Sequence, residues 1–118
     1  MVSKGYEYYY KVKGLNVPFM IDTEEMECAI EKFLSTEKMI SEQLHINFKN
    51  GNSELLMRLM MLTNKYLERI YAIQWSATGE TILQALRSGQ KDISRKVMPM
   101  FISSLQALSK EILKVKPS

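Results

Sequence analysis

The chain has 118 residues, a formal net charge of +3, 46% hydrophobic residues and 25% charged ones. A single domain of this size buries enough surface to fold without metal or disulfide. The composition excludes a disordered tail and a collagen-like repeat, and the lone Cys28 excludes a disulfide-stapled scaffold. No apolar run reaches the length of a membrane span, and no apolar leader precedes a small-residue cleavage site. These features predict one soluble, cytoplasmic domain over residues 1–118, in a reducing compartment.

Charge is unevenly spread. Residues 22–42 carry seven acids against two lysines, and residues 87–118 carry seven bases against two acids. The two segments either attract one another within the fold or across a dimer, or the basic end faces an anionic partner.

In chain order, Tyr6, Tyr8, Tyr10 and Val12 alternate with Glu7, Tyr9, Lys11 and Lys13, the period of a strand built from good β formers. Gly14-Leu15-Asn16 reads as a turn, and Val17–Ile21 as a short returning strand held to an edge by Pro18. Asp22 is placed to cap a helix, with Glu25 three residues on and Ile21 and Met26 at staple positions. Met26, Ala29, Ile30, Phe33, Leu34 and Ile40 form its apolar stripe. Ser35-Thr36 is a candidate kink, and Leu44, Ile46 and Phe48 alternate as in an extended end. Lys49-Asn50-Gly51-Asn52 is a loop.

A second helix is expected over 54–75, capped by Ser53 or Asn52 and apolar on more than one face. Ser76–Gly79 should interrupt it, with Thr78 starting a short third helix that stops at Ser88-Gly89. Asp92 should cap the last helix, 93–115, whose Ile93, Val97, Phe101, Leu105, Leu108, Ile112 and Val115 have the cleanest helical spacing in the chain. Pro99 should kink or restart it. The fold class expected is mainly α (α+β): a bundle of three to four helices (22–116) with an N-terminal β-hairpin (6–21).

Catalytic signals are sparse. One histidine, His45, and one cysteine cannot complete a histidine-based zinc site, and no phosphate-binding glycine loop or nucleophile elbow occurs. No enzyme, metal or cofactor is therefore expected. Residues 81–100 resemble a helix-turn-helix in the Ala85/Gly89 spacing and the following bases Arg87, Lys91, Arg95 and Lys96. They depart from it at Gln90, Arg95 and Pro99. Nine methionines and a broad apolar second helix point instead to adaptable protein contact. The reading is a small non-enzymatic interaction module (an adaptor, chaperone-like subunit, inhibitor or assembly component) that meets a protein partner or a second copy through Met57, Met61, Tyr66, Tyr71 and Trp75. The alternative is a nucleic-acid-binding regulator using Arg87, Lys91, Arg95 and Lys96.

Overall fold

The computed structural model describes residues 8–117, the side chain of Ile93 excepted. A short 3-10 turn, Tyr8–Lys11, precedes four helices: α1 (Thr23–Asn50), α2 (Ser53–Arg69), α3 (Ile73–Arg87) and α4 (Lys91–Val115). Each helix packs on its neighbour in the chain, and α4 closes the ring against α1. Connections of two or three residues force each helix back along the one before it. The side-chain contacts agree with that course. Trp75 near the start of α3 donates its Nε1–H to the Ser104 carbonyl, well along α4, at 3.1 Å. Lys116, beyond the end of α4, pairs with Glu31 in the early turns of α1. The molecule is a four-helix bundle, 50 × 24 × 19 Å. We call the end bearing the α1–α2 and α3–α4 turns basal, and the end bearing the α2–α3 turn apical.

Among the described residues there is no strand, so the expected β-hairpin is replaced by an irregular N-terminal strap. The tyrosine alternation fails because no second strand or sheet is there to take its hydrogen bonds. The chain coils into a 3-10 turn, with Val12 N–H donating to the Tyr9 carbonyl, and successive tyrosines go inward. Tyr9, expected outside, is fully buried, while Tyr10, expected inside, is 43% exposed. Tyr6 and Glu7 lie outside the described residues. The strap then crosses the apical end, where Asn16 N–H donates to the Tyr71 carbonyl at 2.8 Å.

α1 begins as its sequence requires: Asp22 is the N-cap, and its Oδ1 accepts from Glu25 N–H at 3.1 Å. No break follows. The Ser35 and Thr36 hydroxyls donate to the Lys32 carbonyl and so bond within their own helix. The end read as extended is helical too, because Ile40, Leu44 and Asn47 bury at helical spacing. Gly51 stops α1 with φ 72°, a left-handed conformation that suits glycine.

The long helix expected over 54–75 is two helices. It ends at Arg69, and Tyr71 adopts φ 60° between buried Ile70 and Ala72. Ser76–Gly79, expected to interrupt, lies inside α3. α3 stops at Ser88-Gly89 as expected, with Gly89 at φ 74°. α4 starts two residues early, at Lys91 with Gln90 as N-cap in place of Asp92, and runs unbroken through exposed Pro99.

The core lies on the bundle axis. Phe33 and Leu44 of α1, Met60 and Leu67 of α2, Ile82 of α3, and Phe101, Leu105 and Ile112 of α4 all belong to it. At the apical end Tyr8 is buried near Glu27 and Glu31. Its hydroxyl and the Glu27 Oε2 have no hydrogen-bond partner among the described residues. Burial, then Glu27, Glu31 and Tyr9, push the Tyr8 hydroxyl far above its ordinary value. Burial and the Glu31 carboxylate raise Glu27, against an opposing pull from Lys116.

Both groups are raised in the fold, so both favour the neutral form. The stability they supply is complete below the ordinary value and is lost as pH climbs through the shifted one. For Glu27 the loss begins near 4.5. Glu27→Gln is accordingly expected to melt above wild type at pH 7 and to converge with it near pH 4, as read by circular dichroism. A variant that melts below wild type at pH 7 contradicts the assignment.

Candidate functional site

The five residues expected to meet a partner do not form one surface. Met61 of α2 is exposed, whereas Met57, Tyr66, Tyr71 and Trp75 are half-buried and packed against the core. Tyr71 stands in the α2–α3 turn, and Trp75 belongs to α3, where its ring lies under Gly14 of the strap.

A different stripe emerges on α2. Leu55 is 46% exposed and Leu62 40%, while Leu59 and Tyr66 are half-buried. Their spacing is four, three and four residues, which sets all four along one flank of a helix. Asn64, which meets Gly79 of α3, marks the other flank, and Met57 and Met61 fall on that side. The leucine stripe is therefore the flank turned toward α1. On α1, Met39 and Ile46 are exposed a heptad apart. Together the six residues give α1 and α2 a shared apolar outer face. The sequence shows which residues are apolar, but only the ring order shows that, among the described residues, no fifth helix covers these.

Further apolar exposure lies at Phe19 and Met20, 89% and 85% exposed, in a loop tethered by the Tyr10 hydroxyl, which donates to the Pro18 and Phe19 carbonyls. Met100, Leu113 and Ile73 are exposed singly.

The basic residues Arg87, Lys91, Arg95 and Lys96 are all exposed, and they cluster where α3 passes into α4 at the basal end. The two helices there lie side by side as an antiparallel pair, unlike the steeply crossed pair of a helix-turn-helix. His45 and Cys28 are both exposed on α1, and neither lies near the other. The buried Glu37 carboxylate is occupied by the Ser41 hydroxyl, which donates to it at 2.6 Å. Among the described residues no group of three His, Cys, Asp or Glu side chains could hold a metal ion, and no helix is long and apolar enough to cross a membrane.

Comparison with protein-family models, with curated proteins and with solved structures gives no match to this chain.

Proposed function

We propose that the protein is a small non-enzymatic interaction module that works through the outer face of α1 and α2, and that a second copy of the chain is its first partner. The observation that supports this is the stripe of Leu55, Leu59, Leu62 and Tyr66 beside Met39 and Ile46. Such spacing suits a helix laid against helices, each apolar side chain seating between four of the facing helix. Charges of both signs flank the stripe, Arg58, Lys65 and Arg69 with Glu54 and Glu42, so two copies meet without net repulsion. A stable contact buries about 800 Å² per partner, which is roughly a tenth of this chain's 7663 Å² surface.

Light scattering at micromolar concentration is expected to read twice the 13.7 kDa chain mass. Leu55→Glu with Leu62→Glu should restore the single-chain mass and leave the helical circular dichroism unchanged, because both positions are exposed. A monomeric wild type sinks the second-copy reading. So does a dimer indifferent to the double variant.

A further inference from the structure

At the basal end the two turns do not close over the core. Between them lies a cavity of about 490 Å³, within the size range of small-molecule sites. Phe48 of α1, Leu56 of α2 and Leu86 of α3 give it an apolar floor; Lys49, Lys91 and Arg95 stand among its walls. Lys49 is far from the other two in sequence, and the bundle's antiparallel course brings it to them.

The charge here is one-sided. Among the described residues, no carboxylate lines the cavity. Of the two acids nearest in sequence, Glu54 is tied to Arg58 at 3.2 Å, and Asp92 lies on the adjoining surface. The ion pairs among the described residues are Arg58–Glu54 and Lys116–Glu31, so Lys49, Lys91 and Arg95 hold no carboxylate partner there. α1 and α3 finish here with their last carbonyls satisfied by the turns, Asn52 N–H donating to Asn47 and Gln90 N–H to Ala85. α2 and α4 begin here without a side-chain cap. Glu54 and Asp92 stand in the first turns of these two helices, outside the cavity lining, so the positive character of the cavity rests on Lys49, Lys91 and Arg95.

We propose that this cavity binds an amphiphilic small-molecule anion. Its phosphate, sulfonate or carboxylate head is held by Lys49, Lys91 and Arg95, and its flat apolar body rests on Phe48, Leu56 and Leu86. Three cations without an apolar floor would favour inorganic phosphate, and the floor without the cations would favour a neutral hydrocarbon. The combination selects a molecule carrying both. This assignment is independent of the α1–α2 outer face, which lies along the side of the bundle.

The test is a titration of 1-naphthyl phosphate into the full chain, followed through backbone amide shifts in proton–nitrogen spectra. Saturable one-to-one binding is expected, with the largest shifts at residues 48–56 and 86–95. Inorganic phosphate and neutral 1-naphthol, run in parallel, should each bind roughly tenfold more weakly or worse. Arg95→Gln with Lys91→Gln should weaken naphthyl phosphate by roughly tenfold, and Lys49→Gln, on a different helix, by a smaller factor. All three residues are exposed, so melting curves should be unchanged. Shifts that never saturate, that fall elsewhere, that naphthol reproduces or that survive the variants overturn the proposal. A short DNA duplex that shifts these amides when naphthyl phosphate does not would overturn it too, in favour of a nucleic-acid surface.

Discussion

Gly79→Ala is expected to destabilise the protein by about 1 kcal/mol, the reverse of its effect in an ordinary helix. Alanine within a helix normally gains about 1 kcal/mol over glycine. Here an added Cβ would stand 1.9 Å from Asn64 Oδ1 and 2.9 Å from Asn64 Cγ. Asn64 is 3% exposed, so its amide has little room to swing aside. Overpacking of this kind costs about 1–3 kcal/mol, enough to cancel the helical gain and reverse the sign.

Asn64 adds a second expectation. Neither its Nδ2 nor its Oδ1 has a hydrogen-bond partner among the described residues, and an unanswered buried amide carries about 1–3 kcal/mol of desolvation. Asn64→Ala should therefore cost less than a typical core truncation. It should also make room for the Gly79→Ala methyl. The double variant should recover most of the loss, with a coupling above about 1.5 kcal/mol in urea unfolding. A Gly79→Ala protein as stable as wild type would mean that α2 and α3 can separate freely at this point.

Trp75→Ala should lower stability by about 3 kcal/mol, the low end of the range for a truncated core aromatic, because the ring is half-buried. Trp75 ties three parts of the molecule. It stands on α3, it donates to the Ser104 carbonyl of α4 at 3.1 Å, and two of its ring atoms lie 2.5 Å from where a Cβ on Gly14 would sit. Removing the ring takes away the bridge between helices and the surface on which the strap rests. Trp75→Phe should retain most of the packing and lose the single bond, at about 1 kcal/mol. Gly14→Ala tests the strap contact separately. As the only tryptophan, Trp75 should shift its emission to the red when the strap is displaced. Chemical unfolding by circular dichroism measures the first two variants. A loss below about 1 kcal/mol for Trp75→Ala would show that the strap and α4 hold together without it.

Much of the bundle was legible from residue spacing. Asp22 with Glu25 marked the start of α1, Gly51 and Gly89 marked two stops, and Phe101, Leu105, Leu108 and Ile112 of the α4 pattern are all buried. These signals are local: a cap, a glycine at positive φ and a helical period each depend on a few neighbouring residues. What escaped depends on other parts of the chain. The turn at 70–72 contains no glycine, proline or asparagine, and Tyr71 accepts a left-handed backbone between two residues driven into the core. Gly79 resembled a helix stop because only the packed structure shows Asn64 lying against it. The tyrosine run had the period of a strand and no sheet to join.

The functional surfaces divide in the same way. A broad apolar surface on the second helix is expected from the sequence, and of the residues named for it Tyr66 lies in the leucine stripe and Met61 is exposed on the other flank. Met57, Tyr66, Tyr71 and Trp75 were named for size and softness, yet each leans on the core. Leu55 and Leu62 stand out only once α1 and α3 have taken their places beside α2. The cluster of Lys91 and Arg95 was visible in the sequence, whereas Lys49 joins it through the return of α1 to the same end of the bundle.

The two- and three-residue joints between successive helices also bear on how the chain finds its structure. Every helix partner except one is also the next helix along, so most native contacts form between segments that diffuse only a short way to meet. Chains of this type reach the native state in microseconds to milliseconds. The exception is the seam between α1 and α4, which encloses the whole of α2 and α3 and carries the largest loop-closure entropy. Joining of the first and last helices is therefore the step at which an otherwise local search must become global.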